Sequence, residues 1–354
     1  MPILIRPAPP PIARNSPLLR GLAYFLLTFL LVVLGMEALG RSPLAGFLPP
    51  SSLKVDNFLL EAKIHALELQ TRRVGRLDCL FLGSSVTNSD IDPSIVEQIY
   101  RQQTGETIHC FNLGLPALTT ETATALAEVI LPRFRPKVIF YSILPRDIRD
   151  TIANVDYLLD TPWVKFYRGA PSLEGWLLHH AYSYRYYLAW RYWLVIPNRL
   201  KQLQETHFLT PKGFQPAQGI RDPYLPNLTM TSERLRAAWS TPQERHAFQA
   251  LLSLQRKGVR LIILEGPAYH EPDGSDAETW AAYYESYLPP LLELLQTYGA
   301  ENGIGAVPFW ETQALARQIP KAHWYDWLHL NSQGAITFSR WLGQQIAQHP
   351  SLFR

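Results

Sequence analysis

Two groups of residues, far apart in the chain, have the types and spacing that nucleophilic catalysis requires. Ser85 follows an apolar run, while Asp326 and His329 stand three residues apart near the C-terminus. At this spacing the carboxylate can accept a hydrogen bond from the histidine ring, which holds the other ring nitrogen ready to take a proton. A serine hydroxyl needs such a base because it is a poor nucleophile on its own. These residues predict attack by Ser85 on an acyl carbon, provided that the fold brings them together.

Two further positions suit the surroundings of such a site. Gly114 ends the apolar run "IHCFNLG". A glycine there would let a backbone N–H approach a developing oxyanion without obstruction from a side chain. His270 follows another apolar run, in "GPAYHEPDGSD". It is a candidate for contact with substrate, and an ordinary loop residue is the alternative.

Five short apolar runs have the length of buried β-strands, and helical patterns lie between them. The strands are predicted at residues 76–83, 108–114, 137–144, 258–266 and 305–311. The helices are predicted at 58–75, 93–103, 119–133, 242–257, 278–298 and 333–347, with a polar loop after the first strand. Continuous apolar strands that alternate with helices indicate a parallel sheet covered on both faces. Ligands bind outside the carboxyl ends of such strands, where Ser85, Gly114 and His270 are expected.

The N-terminal region contains a segment long enough to cross a membrane. Residues 21–40 are apolar except for Glu37, and arginines flank them. The segment lacks the polar face that an amphipathic core helix would show. We therefore predict a cytoplasmic tail at 1–20, a transmembrane anchor at 21–40 and, by the positive-inside rule, an extracytoplasmic remainder. Secretion after cleavage of a signal peptide, at the small residues 38–40, is the alternative.

The rest of the chain is predicted to form one α/β domain with an insertion. Residues 41–57 are rich in Pro, Gly and Ser and are predicted to be a linker, followed by the domain at 58–354. Residues 151–240 interrupt the alternation and are predicted to be a mostly helical insertion, dense in Tyr, Trp and Arg at 179–200. These aromatic residues either pack the insertion onto the core or form a lid, a carbohydrate-stacking surface or an interfacial helix.

The composition narrows the range of partners and cofactors. The net charge of +3 is spread along the chain, whereas nucleic-acid-binding proteins present a clustered basic face, so no nucleic acid partner is expected. The sequence contains no phosphate-binding or dinucleotide motif and no metal-ligand spacing, so no cofactor or metal is expected. Its two cysteines, Cys79 and Cys110, lie inside apolar runs and are expected to be buried, inert thiols.

Taken together, the motifs resemble those of the SGNH (GDSL-type) hydrolases over residues 76–150 and 240–350. In that family a strand ends on Gly-Asp-Ser with a nucleophilic serine, which Ser85 matches in the triplet Gly83-Ser84-Ser85. Gly114 matches the oxyanion glycine that follows the second strand. The sequence Asp326-Trp-Leu-His329 matches the final Asp-x-x-His block. The resemblance implies a three-layer, flavodoxin-like fold with a central parallel sheet, and a Ser85–His329–Asp326 triad.

Two positions depart from the family pattern. Ser84 replaces the aspartate of the first block, as in relatives that act on cell-surface polymers. In the third block, Arg146 stands where the family usually supplies an oxyanion asparagine. Arginine could donate to an oxyanion or bind an anionic group of the substrate. Membrane-anchored members with this pattern resemble proteins that take part in O-acylation of polysaccharide or teichoic acid outside the cell.

Three functions follow as expectations from the residues and from this resemblance. The first is an extracytoplasmic serine esterase that acts on an acylated glycan or cell-envelope polymer. The second is an O-acyltransferase, which would need a multi-span membrane partner to export the acyl group. The third is a subunit without catalysis that binds or assembles polymer for export, suggested by the missing asparagine.

Overall fold

A computed structural model describes residues 17–144, 156–219, 242–271, 273–303 and 306–354. Its centre is a parallel sheet of five strands in the order β2-β1-β3-β4-β5. The strands are β1 (Cys79–Gly83), β2 (Cys110–Asn112), β3 (Val138–Ile143), β4 (Arg260–Glu265) and β5 (Phe309–Trp310). This is the flavodoxin-like strand order, in which β1 and β3 flank the point where the winding reverses. The expected α/β fold class is confirmed.

The α-helices are numbered in chain order. They are α1 (Pro17–Arg41), α2 (Phe58–Val74), α3 (Ser85–Asp90), α4 (Pro93–Thr104), α5 (Thr120–Phe134), α6 (Pro162–Tyr167), α7 (Leu173–His180), α8 (Tyr182–Trp193), α9 (Ile196–Glu205), α10 (Pro242–Leu252), α11 (Ala277–Asn302), α12 (Gln313–Ala316) and α13 (Ser332–Ala347).

Alternate residues of each strand supply two separate hydrophobic cores, one on each face of the sheet. On β1, Leu80 and Leu82 pack with α2, α5, α10 and α11. Their neighbours Cys79 and Phe81 pack with α4 and α13 on the opposite face. Helices therefore cover both faces, as the continuous apolar strands predict.

The observed strands are shorter than the apolar runs that predicted them. Flanking apolar residues such as Leu77, Ile108 and Leu113 are buried in the cores but lie outside the strands. Burial alone therefore does not mark where the strand pairing stops. The predicted helices are found to within a few residues, and the one predicted at 242–257 ends at Leu252 and continues as a 3-10 turn, Ser253–Lys257.

The residues after β1 form a short helix, α3, where the sequence predicts a polar loop. Their types, Ser-Val-Thr-Asn-Ser-Asp, favour helix interiors weakly. Contacts with the neighbouring strand compensate, because the Asn112 side chain donates to the carbonyls of Thr87 (2.6 Å) and Ile91 (2.7 Å). The loop prediction was wrong because these tertiary contacts override local propensity.

Cys79 and Cys110 are buried as expected, but they form a disulfide rather than two inert thiols. They are direct partners in the register of β1 and β2, with Cα atoms 4.5 Å apart. That distance lies within the range that a disulfide spans. The pairing depends on which strands become neighbours, which the positions of the cysteines in the chain do not reveal.

Residues 41–57 are not a loose linker. A 3-10 turn, Pro43–Phe47, follows α1, and Leu53 and Val55 are fully buried in the core. The Glu61 side chain of α2 accepts hydrogen bonds from the backbone of Leu53 (2.7 Å) and Lys54 (3.1 Å). The end of α1 is therefore attached closely to the domain.

The described part of the insertion, residues 156–219, is helical as expected and contains α6 to α9. Its closest connection to the domain is a buried cluster of charges around Glu68 of α2. Arg133 of α5 (2.7 Å) and Arg185 of α8 (2.9 Å) form ion pairs with this carboxylate, and the Tyr182 hydroxyl donates to it (3.0 Å). Residues 220–241 lie outside the described residues.

Candidate active site

Ser85, His329 and Asp326 meet at the carboxyl edge of the sheet. The Ser85 Oγ lies 2.7 Å from His329 Nε2. On the other side of the ring, His329 Nδ1 lies 2.8 and 2.9 Å from the two carboxylate oxygens of Asp326. These contacts form a continuous chain from hydroxyl to imidazole to carboxylate, which is the arrangement that lets histidine take the proton of a serine.

The carboxylate of Asp326 is held ionised. Burial would raise its pKa, but the hydrogen bond and the charge of His329 outweigh this effect and lower the pKa below its ordinary value of 3.8. Asp326 Oδ1 also accepts the backbone N–H groups of Leu328 and His329, each at 2.9 Å. An anion fixed in this way stabilises the imidazolium that forms when His329 takes a proton.

A sharp turn at Gly83 leads β1 into α3 and positions Ser85 at the start of that helix. Gly83 has a φ of 154°, and a Cβ there would lie 2.2 Å from Thr87 Oγ1 and 2.7 Å from the Ser142 carbonyl oxygen. Only glycine fits such a close approach of β1, β3 and α3. The turn lies between β1 and β3, where the winding of the sheet reverses and ligands bind in this fold.

Asp90, on the same helix as Ser85, holds the histidine loop in place. Its Oδ1 accepts the N–H of Leu330 (3.1 Å) and the hydroxyl of Ser89 (2.7 Å). Asp90 is fully buried, and desolvation raises its pKa well above the ordinary value. Asp90 therefore connects the helix that carries the nucleophile to the loop that carries the base.

Gly114 is not placed as expected for an oxyanion donor. Its N–H donates to the Asn112 side chain at 2.9 Å, which leaves this N–H engaged within the protein. The absence of a side chain serves packing instead, because a Cβ would lie 2.4 Å from the backbone nitrogen of Asn88. Gly114 thus permits close contact between α3 and the segment after β2.

Lys63 and Asn112 form a buried support behind this segment. Lys63 Nζ donates to the Gly114 carbonyl at 2.6 Å and lies 3.4 Å from Asn112 Oδ1. Burial lowers the pKa of Lys63 well below its ordinary value. Neither residue was predicted from the sequence, although a lysine among apolar helix residues and an asparagine inside an apolar strand were visible signals. Asn112 holds α3 through the carbonyl of Thr87, and Lys63 holds the segment after β2 through the carbonyl of Gly114.

His270 does not line the cleft beside Ser85. It is buried, its ring packs against Trp280 and Tyr284, and desolvation lowers its pKa to about 4. It belongs to an aromatic cluster of the core. Arg146, the other residue expected near an oxyanion, lies outside the described residues.

A cleft of about 380 Å³ opens beside the triad. The insertion supplies one wall of it, which the sequence did not reveal. The lining residues are Ser85, Asn88, Ser89, Gln204, His207, Phe208, Gln215, Pro216, Ala217, Gln218, Tyr325, Asp326 and His329. The N–H of Gln215 donates to the Asn88 carbonyl at 3.1 Å, which attaches this wall to α3. Among the described residues, no group of His, Cys, Asp and Glu has the arrangement of a metal site.

Comparisons with known proteins give only distant likenesses. No family model and no curated protein matches the chain. Solved structures similar to it include a lipase/acylhydrolase from Enterococcus faecalis (12% identity, TM-score 0.35, covering 77% of this chain and 96% of that one). They also include LAE5, an α/β hydrolase enzyme from the metagenome of Lake Arreo, Spain (12% identity, TM-score 0.38, covering 77% of this chain and 94% of that one). A third is a carbohydrate acetylesterase family member from Sinorhizobium meliloti (12% identity, TM-score 0.32, covering 77% of this chain and 98% of that one). At these TM-scores the likeness says nothing about substrate.

Proposed function

We propose that the protein is a serine-dependent acyl-ester hydrolase of the SGNH type. The observation that carries this proposal is the 2.7 Å contact between Ser85 Oγ and His329 Nε2, together with the bond from His329 to Asp326. Residues 244 positions apart in the chain meet at the reversal point of the sheet, beside an open cleft. This combination of nucleophile, base, orienting carboxylate and access is what ester cleavage requires.

In the proposed reaction, Ser85 Oγ attacks the acyl carbon while His329 Nε2 takes the hydroxyl proton. The tetrahedral intermediate collapses, the bond to the leaving alkoxide breaks, and His329 returns the proton to that alcohol. Water then attacks the acyl-serine with His329 again as the base, which releases the carboxylic acid and restores Ser85. Asp326 keeps the Nδ1–H tautomer and stabilises the imidazolium in both steps.

The developing oxyanion needs hydrogen-bond donors near Ser85. We assign this role to the backbone N–H of Ser85, with Arg146 as a further donor. The N–H of Gly114 is not assigned it, because it is bonded to Asn112. Each well-placed donor typically contributes about 10²–10³ in rate.

The cleft lining supports an acylated glycan or a similar polymer as the substrate. Its wall carries the amide side chains of Gln204 and Gln218, together with the aromatic rings of Phe208 and Tyr325. Amide groups can both donate to and accept from sugar hydroxyls, and aromatic faces pack against sugar rings.

One described helix, α1, is long and apolar enough for a membrane anchor or a signal sequence. We propose an uncleaved anchor, because its last residues are built into the fold. Glu37 accepts the N–H of Ser183 at 3.0 Å, and Arg41 donates to the His180 carbonyl at 2.7 Å. Gly40 lies so close to Tyr182 that a Cβ would be 2.6 Å from it. Cleavage after the small residues 38–40 would remove Glu37 and Gly40, and with them their contacts to α8.

An extracytoplasmic location for the domain is proposed with this anchor. Arginines precede α1 on its N-terminal side, as the positive-inside rule requires for a cytoplasmic N-terminus. The Cys79–Cys110 disulfide suits an oxidising compartment, since cytosolic disulfides are rare.

Turnover of an activated acetyl ester by the full-length protein in detergent tests the proposal. The wild type is expected to release the chromophore, and Ser85→Ala to fall to the background rate. Ser94→Ala, at an exposed position on α4, is the matched control and is expected to keep full activity. Equal background rates for the wild type and Ser85→Ala would contradict the proposal and favour a binding or assembly subunit.

The same acyl-serine could be resolved by a sugar hydroxyl in place of water. Adding glycan acceptors to the assay distinguishes the two reactions, because transfer yields acylated sugar. An exporter that supplies the acyl group would be the partner required by the transfer reaction.

A further inference from the structure

Helices α8 and α9 of the insertion expose apolar side chains to the outside and bury polar or charged ones. In a water-soluble domain, the apolar face of a surface helix turns toward the core. On α9, however, Ile196 (66% exposed), Leu200 (62%) and Leu203 (61%) lie on the outward face at helical spacing. Gln202, on the opposite side, is buried.

Helix α8 shows the same reversal. Tyr187 and Trp190 point outward, as does Leu194, which ends the helix, and their spacing places them on one face. The opposite face buries Arg185 against Glu68. Aromatic and aliphatic side chains therefore point away from the protein while a charge points inward.

Among the described residues after α1, the exposed large apolar residues lie either just beyond that helix or in the insertion, apart from Leu292. The outward residues of α8 and α9 are Tyr187, Trp190, Leu194, Ile196, Leu200 and Leu203, here called the apolar platform. Large exposed apolar faces of this kind mark interaction sites.

We propose that the apolar platform lies on the surface of a lipid bilayer. The inference rests on the proposed membrane anchoring of α1. A groove of about 760 Å³ runs between α1 and α8, and Phe29, Val33 and Met36 line it together with Tyr187 and Trp190. If these α1 residues are in the membrane, the side chains of α8 that share the groove reach the same depth.

The charges around the platform fit a bilayer better than a protein partner. Arg191, Arg199 and Lys201 lie among its apolar residues, and the Arg199 guanidinium packs 4.2 Å from the centre of the Trp193 ring. Basic residues next to tryptophan and tyrosine are typical of helices at a membrane interface, where phosphates attract the cations. The bilayer is thus the occupant that matches both the apolar and the charged residues.

This orientation has a consequence for the cleft. Gln204, at the end of α9, and the following residues His207 and Phe208 line the cleft beside Ser85. A platform seated on lipid therefore places the cleft mouth next to the bilayer surface. Polymer that is held close to the membrane would reach Ser85 directly.

Spin labels on the full-length protein in phosphatidylcholine–phosphatidylglycerol vesicles test the proposal. Both native cysteines are in the disulfide, so a single introduced cysteine takes the label. The test position is Leu200→Cys. The matched control is Leu292→Cys, another exposed helical leucine (40%), on α11. A label at Leu27→Cys in α1 reports whether the anchor is inserted.

The measurement compares collisions with oxygen, which concentrates in lipid, and with a water-soluble nickel chelate. We expect the ratio of oxygen to nickel collisions to be several-fold higher at 200 than at 292, and high at 27. A low ratio at 200 with a high ratio at 27 would overturn the platform but leave the anchor intact. Low ratios at positions 200 and 27 would overturn both the membrane-bound platform and the membrane anchor. Broadening between labels at 200 that vanishes on dilution with unlabelled protein would show a second copy there and also refute the proposal. None of these readings depends on esterase activity.

Discussion

Two carboxylates in this molecule both have a lowered pKa, yet they serve different ends. Glu68 is buried, and although burial alone would raise its pKa, the charges of Arg185, Arg133 and Arg72 hold it at about 2. Asp326 is 24% exposed and forms an ion pair only with His329 among the described residues. The charged partners of Glu68 join helices of the domain to the insertion. The partner of Asp326 is His329, which also contacts the Ser85 hydroxyl in an open cleft.

The contrast shows how to separate a structural charge cluster from a candidate catalytic one. A shifted pKa marks both, so it does not distinguish them. What distinguishes them is whether the chain of hydrogen bonds ends inside the protein or at a reactive group facing a cavity. Substitution of Glu68 should therefore lower the stability of the protein, and substitution of Asp326 should lower its esterase activity.

The largest effect is expected for Asp326→Asn. The amide cannot hold the required tautomer of His329, so ester turnover should fall by roughly 10⁴-fold while the fold is kept. Turnover of an activated ester and thermal unfolding, both on the detergent-solubilised protein, measure the two quantities. Asp273→Asn, in the exposed turn before α11, is the control and should leave turnover unchanged. A similar loss in both variants would remove the special role of Asp326.

Glu68→Gln should affect stability rather than chemistry. Removing this charge leaves buried Arg185 without its ion pair, which typically costs about 3–5 kcal/mol. Denaturant unfolding measures the loss. Glu174→Gln breaks an exposed ion pair with Lys54 and should cost no more than about 1 kcal/mol. Equal losses would mean that the Glu68 cluster does not fasten the insertion.

Two buried histidines should each lower the stability of the protein as the pH falls from 6.5 toward 4. Burial lowers the pKa of both His65 and His270 from 6.5 to about 4. Between pH 6.5 and 4 the unfolded chain binds protons at these histidines that the folded protein does not bind. The contribution of the two histidines to the free energy of unfolding is therefore complete above pH 6.5 and is lost as the pH falls toward 4. Unfolding measured across this range should show a decline that His270→Phe reduces. If the wild type and His270→Phe showed the same dependence on pH, the burial of the His270 ring would be contradicted.

The smallest effect is expected for Asp90→Asn. Burial raises the pKa of Asp90, and a neutral amide should replace a neutral acid with little change in turnover or stability. Asp90→Ala removes the acceptor of the Leu330 N–H and should cost about 1–3 kcal/mol and lower kcat. If the asparagine variant behaves like alanine, the carboxyl group itself is needed and the account of Asp90 as a positioning residue is wrong.

The sequence was sufficient to predict the features that a local pattern of residue types marks. Continuous apolar runs predicted the parallel sheet, and the strand-end rule placed Ser85 at the edge where His329 is found. It was insufficient for features that depend on which distant residues become neighbours in the folded chain. The disulfide depends on β1 lying next to β2, helix α3 depends on Asn112, and the cleft wall comes from the end of the insertion at Gln215. None of these has a local signal in its own stretch of chain.

Covalent capture of the nucleophile tests whether His329 activates Ser85. A fluorophosphonate reacts only with an activated serine, and peptide mass spectrometry identifies the modified residue. We expect modification at Ser85 in the wild type and its loss in His329→Ala, with the fold intact. An unmodified Ser85 in the folded wild-type protein, or equal modification with and without the histidine, would contradict it.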